Sequence, residues 1–210
     1  RLVTVINQKD IERLKPKSVS ELLSLISSVD VLSRGVHGMQ SDISIRGGSF
    51  DQTAILLNGI NITNPQTGHY SLDIPINISD IEKIEVLSGP SAIVYGSSAF
   101  SGGINIITKK GIDKGLNVKL EGGLHSLFAS EISGAYKIKN MENYLSFGYG
   151  TCDGYINNTD YKTMNLLYQS RFNLKYNNKI DFQAGINKKS YGANSFYSAL
   201  YPNQHDKTSS

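Results

Sequence analysis

The side chains able to do chemistry in this chain are few, and their spacing decides against most reactions. Ser97, Ser98 and Ser101 lie in the Gly/Ser run from Gly96 to Gly103. They lack the glycine pattern that strains and exposes a nucleophilic serine. The run also lacks the terminal Lys-Ser/Thr of a phosphate cradle and the glycine spacing of a dinucleotide site. The four histidines are scattered, and His37 and His69 are too far apart to form a metal motif. No catalytic residue is expected, and the protein is read as not an enzyme. Asp153, Asn157, Asn158 and Asp160 crowd one polar segment. Ca²⁺ takes about 6–8 oxygen ligands, so Asp153, Asn157 and Asp160 are candidate calcium ligands. The spacing is not that of an EF-hand, and ordinary polar loop composition accounts for it equally. No other cofactor is expected. Two glycine-punctuated polar segments, Ser33–Gln40 and Asn64–Tyr70, offer hydrogen-bonding and stacking groups in His37, Gln66, His69 and Tyr70. Arg46, Glu82 and Glu85 are candidates for ion pairs.

Bulk composition narrows the class further. A hydrophobic share of 39% with 19% charged residues fits an ordered chain of one or two domains over 210 residues. The net charge of +3 and the absence of a basic cluster larger than a Lys-Lys pair argue against nucleic acid. The single Cys152 excludes an internal disulfide and a multi-cysteine metal site. No apolar run approaches the ~18 residues of a spanning helix. That leaves open a β-barrel, whose strands alternate in polarity. The chain starts at Arg1 without a Met or a visible signal peptide, and it is expected to be processed or a piece of something longer.

The first 112 residues read as a small α+β domain. Leu2 to Ile6 is expected as a strand, and Gln8 to Leu14 as a helix ending before Pro16. Ser18-Val19-Ser20-Glu21 has capping-box spacing, predicting a second helix to about Ile26. Asp42 to Arg46 and Ala54 to Leu57 read as strands, with Asn58-Gly59 as a tight hairpin turn. Ser79-Asp80-Ile81-Glu82 is a second capping-box pattern, predicting a helical turn ahead of a strand from Lys83 to Leu87. Gly103 to Thr108 reads as a further strand.

From about residue 113 to 210 the texture changes to period-two alternation. Met164, Leu166, Tyr168, Ser170, Phe172, Leu174 and Tyr176 share one parity, and polar residues fill most of the other. Thirteen residues at ~3.3 Å each would reach about 43 Å, whereas a tilted strand crosses a bilayer core in about 9–11. The alternation recurs around Val118–Leu124, Ile132–Ile138, Leu145–Tyr149 and Ile180–Ile186. Tight turns are expected at Asn140–Glu142 and Asn177-Asn178, and long loops at Thr151–Tyr161 and beyond Tyr191. Short turns on one side and long loops on the other are the habit of a transmembrane barrel. Five strands cannot close one, so the barrel is expected to be incomplete here.

The motifs of the first half, in order, are Ile43-Ser44-Ile45-Arg46-Gly47-Gly48, Ile55-Leu56-Leu57-Asn58-Gly59-Ile60, Ile81-Glu82-Lys83-Ile84-Glu85-Val86-Leu87-Ser88-Gly89-Pro90, and Tyr95-Gly96-Ser97-Ser98-Ala99-Phe100-Ser101-Gly102-Gly103-Ile104-Asn105-Ile106-Ile107-Thr108-Lys109. Together they resemble the plug domain of TonB-dependent outer-membrane receptors. Asn58-Gly59 replaces the Asp-Gly common in that family and should preserve the turn. No TonB box is recognisable upstream. The resemblance implies a plug at 1–112 inside a barrel lumen, with the first barrel strands at 113–210, in the outer membrane of a Gram-negative bacterium. It implies uptake of a scarce nutrient such as a ferric siderophore or cobalamin, with TonB, the nutrient and outer-membrane lipid as partners. It places Val36, His37, Gln40, Asn64, Gln66, Thr67, His69 and Tyr70 on outward apex loops that touch the ligand. It places Arg46, Glu82 and Glu85 in a plug ion-pair network, so Arg46→Ala is expected to lower uptake or plug stability more than Arg34→Ala. The rival readings are a non-transporting β-rich surface-binding or adhesion protein, and a soluble enzyme using the Gly/Ser segment.

Overall fold

A computed structural model describes residues 3–64, 67–110 and 115–210, leaving aside the side chains of Pro90, Ser91, Ile93, Ser97 and Asn177. Gln66 and the expected domain boundary at 112/113 lie outside the described residues. The chain separates into two units. One is Arg1–Leu72 with Ile81–Thr108; the other is Asp73–Asp80 with Lys109–Ser210.

In the first unit, Asn7 ends strand β1 (Val3–Asn7) and caps helix α1 (Gln8–Leu14). Its side chain accepts from the Asp10 amide at 3.1 Å, and the Asp10 carboxylate accepts from the Asn7 amide. That satisfies two donors a helix start otherwise leaves open. Ser18 caps α2 (Val19–Ser24) in the same way, and the Glu21 carboxylate reaches back to the amide of Lys17. The helices bury Ile11, Leu22 and Leu23.

Strands β2 (Val29–Arg34) and β3 (Gln40–Ile45) form a two-stranded antiparallel hairpin. The expected loop Ser33–Gln40 is the tip of this hairpin: Gly35–Met39 form its turn, while Ser33, Arg34 and Gln40 belong to the strands. The remaining strands are β4 (Thr53–Leu57), β5 (Ile60–Asn61), β6 (Ile81–Ser88) and β7 (Gly102–Thr108). With β1 they make a sheet ordered β1-β6-β7-β4-β5. The β4–β7 pair is parallel, aligning Ile55 with Ile104 and Leu57 with Ile106. Both faces of β4 are buried, which explains its unbroken apolar run. The Asn58-Gly59 turn forms as expected, with both residues at positive φ. Asn58 also ties the turn to β7, donating to Thr108 Oγ1 at 2.9 Å and accepting from the Thr108 amide at 3.0 Å. The Ser79 capping box does not form. A 3-10 turn covers Ile78–Asp80, and strand begins at Ile81. Asp80 itself caps the turn, accepting from the Asn77 amide at 2.7 Å, and the shared parity of buried Ile84 and Val86 carries the strand beyond a register shift between Ile81 and Lys83.

The second unit is a six-stranded antiparallel meander, β8 (Gly115–Gly123), β9 (Leu127–Ile138), β10 (Met141–Cys152), β11 (Tyr161–Asn173), β12 (Lys179–Gly192) and β13 (His205–Ser209). The sixth strand, short and polar, went unread in the sequence. The thirteen-residue strand has the expected length but runs three residues earlier, because Leu174–Asn178 closes the turn with Tyr176 at φ 58. The tight turn expected at Asn140–Glu142 falls at Lys139-Asn140. One face carries Leu116, Val118, Leu120, Ile132, Leu145, Phe147, Ile180, Phe182 and Ile186, all exposed. Within the described residues no helix is long and apolar enough to cross a membrane.

Candidate functional site

The first unit contains a cleft of about 530 Å³. Its walls come from β2 (Asp30, Val31, Leu32, Arg34), β3 (Asp42, Ile43, Ser44) and the segment around Phe50, and His69 closes it. Asp42 is its hinge. A carboxylate in a strand with buried neighbours needs partners, and it has two. Arg34 Nη1 donates to Oδ2 at 2.6 Å and His69 Nδ1 donates to Oδ1 at 2.6 Å. The Asp42 side chain is 9% exposed and that of Arg34 is 22% exposed. The cross-strand pairing of Asp42 with Leu32 brings Arg34 into diagonal reach. His69 lies in a 3-10 turn capped by Thr67, whose hydroxyl accepts from the His69 amide. Its ring stacks on Phe50 with centroids 4.6 Å apart. Gly68 makes this approach possible, since a Cβ there would run into the Phe50 ring and the Asp51 carboxylate.

Of the expected ligand residues, His69 lines the cleft and Thr67 positions it. Asn64 accepts from the Thr67 amide. Tyr70 is half-buried beside His69, and Val36 and His37 occupy the hairpin turn. Gln40 is buried at the start of β3, not exposed on a loop. The second segment thus meets strand β3 rather than the hairpin tip. Asp42, Asp30 and Phe50 went unread as site residues, and Arg34, expected to matter less than Arg46, holds the central carboxylate. The signal for Asp42 was a carboxylate inside a predicted strand, where Asp is depleted.

The expected plug ion pairs take other partners in the first unit. Glu85 accepts from Lys83 Nζ at 2.7 Å and from Asn105 Nδ2 at 3.2 Å. Donating that hydrogen bond to Glu85 raises the pKa of the Lys83 ammonium above its ordinary value. Arg46 is exposed in a left-handed turn at φ 51. Among the described residues it pairs with neither Glu82 nor Glu85. Lys83, two residues from Glu85 on the same strand, takes that carboxylate instead.

The second unit holds a built polar site on the face opposite the apolar one. Here the segment Asp73–Asp80 is laid against the strands. Asn77 donates to Ser146 Oγ at 2.9 Å and accepts from Asn165 Nδ2 at 3.1 Å. Asn187 donates in turn to Asn165 Oδ1 at 2.6 Å. Tyr144 OH donates to Asp80 Oδ1 at 2.7 Å. Lys189 pairs with Asp73 at 2.6 Å, the two side chains 12% and 7% exposed. Two glycines clear the way. A Cβ at Gly148 would fall on the Asn77 amide, and one at Gly185 would meet Pro75 at 2.6 Å. Glycines inside strand patterns mark such close approaches. Burial, ahead of all else, pushes the Asp80 carboxyl up, while bonds from Ser146, Asn77 and Tyr144 oppose it and the charge of Glu131 adds to it.

The calcium candidates all lie in the loop between β10 and β11, which hydrogen bonds tie to the loop between β12 and β13. Asn158 Nδ2 donates to the carbonyls of Pro202 and Gln204, and Asn194 Nδ2 to that of Asn157. Asp160 faces His205 at 3.5 Å. Among the described residues no three His, Cys, Asp or Glu side chains converge as a metal site would need.

An α+β domain with this sheet order, followed by a long antiparallel meander apolar on one face and polar on the other, defines a plug with transmembrane β-barrel strands. Residues 1–103 match the TonB-dependent receptor plug domain, and the chain belongs to that family. It is 33% identical over 147 residues to the vitamin B12 transporter BtuB of Vibrio vulnificus (strain CMCP6), covering 70% of this chain and 23% of that transporter. BtuB of Vibrio cholerae (O395) is 34% identical over 132 residues, covering 62% of this chain and 21% of that protein. The chain therefore spans less than a quarter of the length of these relatives. Two solved structures share the fold. The pyoverdine outer membrane receptor FpvA of Pseudomonas aeruginosa PAO1 has a TM-score of 0.73 at 16% identity over 90% of this chain and 28% of its own. The ferric-catecholate import receptor Fiu of E. coli K12 has a TM-score of 0.71 at 20% identity over 91% and 27%.

Proposed function

We propose that the complete protein is a TonB-dependent transporter of the Gram-negative outer membrane that imports a scarce metal-bearing nutrient, a cobalamin or a ferric siderophore. The observation that carries this reading is the plug match joined, in one chain, to a meander whose outward parity is apolar. An exposed row of Leu, Ile, Val and Phe on one sheet face needs lipid to cover it. The relatives named for vitamin B12 transport support the cobalamin arm, and the structures named for siderophores support the other. TonB is the partner that would supply the energy. Val36, His37, Asn64, Gln66, Thr67, His69 and Tyr70 are the ligand-facing residues in this reading, with Arg34, Asp42 and Phe50 added to them. The test is equilibrium binding to the detergent-purified full-length receptor, offered cobalamins and ferric siderophores in turn. One class should bind at micromolar concentration or below, and weaken about ten- to a hundredfold when His69 and Tyr70 are both replaced by Ala. Binding of neither class would remove the transport reading and favour a surface-binding protein.

A further inference from the structure

We infer that His69 is a coordination point, and that the ligand it serves is a preformed metal chelate that keeps one exchangeable coordination position. This rests on the receptor reading above and narrows its ligand class. The Asp42 carboxylate can only accept, so the His69 proton that meets it sits on Nδ1. Nε2 is the other ring nitrogen, and among the described residues it makes no hydrogen bond. Asp42 cannot swing to follow the ring, because Arg34 holds its other oxygen at 2.6 Å. Phe50 fixes the ring plane by stacking. A histidine with one nitrogen held by a carboxylate and the other open is the arrangement that orients an imidazole for a metal. A purely structural tie between the two segments would need only the Asp42 bond. It would gain nothing from leaving the second nitrogen at the lip of a cleft.

The cleft itself does not hold a bare ion. Among the described residues no group of three metal-ligating carboxylates, thiols or imidazoles converges anywhere. The metal must therefore arrive with its own ligands. The volume of about 530 Å³ lies within the range of small-molecule sites. Val31, Leu32 and Ile43 give it apolar walls, so it can take part of a macrocycle's face rather than a solvated ion. A ferric ion wrapped by six siderophore oxygens has no position to offer a protein nitrogen. A corrinoid carrying water on one axial position does. In that exchange the cobalt–oxygen bond breaks and water leaves. The Nε2 lone pair forms a cobalt–nitrogen bond. The metal keeps its oxidation state and no proton moves. Of the two nutrient classes proposed above, the site selects the corrinoid. Asp42 acts through His69 and is a positioning residue.

The experiment is a visible-spectrum titration of the detergent-purified full-length receptor with aquocobalamin and, separately, cyanocobalamin. Aquocobalamin should shift on binding to the bands of its imidazole adduct, while cyanocobalamin, whose cyanide does not exchange, should bind without a shift. His69→Ala should abolish the shift and weaken aquocobalamin by about tenfold or more, while cyanocobalamin, which loses only packing against the ring, should still bind and weaken by less. Cyanocobalamin binding thus reports that the variant is folded. Asp42→Asn should weaken the shift more than it weakens cyanocobalamin binding, and Arg46→Ala, exposed and outside the cleft lining, should keep both. If both corrinoids bind with no shift, or the shift survives His69→Ala, coordination is wrong and the receptor reading stands. If only a ferric chelate binds, coordination is again wrong and the receptor reading stands. If nothing binds, both fall. The wild-type spectrum alone is enough to refute the inference should a variant fail to fold.

Discussion

Gly148→Ala tests whether the strands were cut to receive the segment Asp73–Asp80. An added Cβ would fall on the side-chain amide of Asn77, which is buried at 6% exposure. Asn77 would have to withdraw, breaking its bond to Ser146 at 2.9 Å and the bond from Asn165 at 3.1 Å. Each buried polar group left without a partner costs about 1–3 kcal/mol. For two such bonds, partly recovered by relaxation, the segment should lose about 2–4 kcal/mol. At 1.4 kcal/mol per tenfold, that is a roughly 30- to 1,000-fold faster exchange from the locally opened state. The assay is amide hydrogen exchange on the detergent-solubilised receptor. The reporters are the amides of Asn77 and Asp80, bonded at 2.7 Å and 3.1 Å. Gly134→Ala is the control, since its Cβ would make only ordinary contacts at 3.6 and 3.8 Å. Unchanged protection in Gly148→Ala, or equal loss in Gly134→Ala, would refute the reasoning.

Asp80 gives a pH signature. Its carboxyl is raised above the ordinary 3.8, so the folded state holds a proton that the unfolded chain has already released. Stability from this group is therefore full below about pH 3.8 and declines as pH climbs through the raised value. Asp80→Asn should flatten that decline in denaturant midpoints taken from pH 4 upward, and a decline of undiminished slope would count against it. Arg34→Ala should cost about 1–3 kcal/mol, less than a fully buried pair because Arg34 is partly exposed. Arg46→Ala should stay within about 0.5 kcal/mol, as an exposed residue does. Urea titration ranks the two, and the reverse order would be contrary evidence. Leu56→Ala, fully buried beneath Ala92 and Ala99, should cost about 2–5 kcal/mol by the same titration.

What the sequence made legible was local. The α1 limits, the Asn58-Gly59 turn and the length of β11 follow from capping, positive-φ tolerance and parity, each written within a few neighbouring residues. The misses are long-range. Asn77 meets Ser146 and Asn165 across 69 and 88 residues, and no window of sequence contains both ends. Gly148 and Gly185, breaking strand alternation, were the readable trace of that approach. Strand β2 escaped because Asp30 and Arg34 gave it the polarity of a loop, although Arg34 was there to serve Asp42. The Ser79 capping box failed because the apolar alternation that follows it stabilises strand, and pattern outweighs a two-residue cap.

The central claim, energised uptake, is tested most directly by accumulation of labelled cyanocobalamin in cells carrying the full-length gene as their sole cobalamin receptor, with and without TonB. The account predicts accumulation well above the receptor-free background, falling to surface binding alone when TonB is removed. Equal accumulation in both strains would contradict it, as would accumulation of neither labelled cyanocobalamin nor a labelled ferric siderophore despite surface expression.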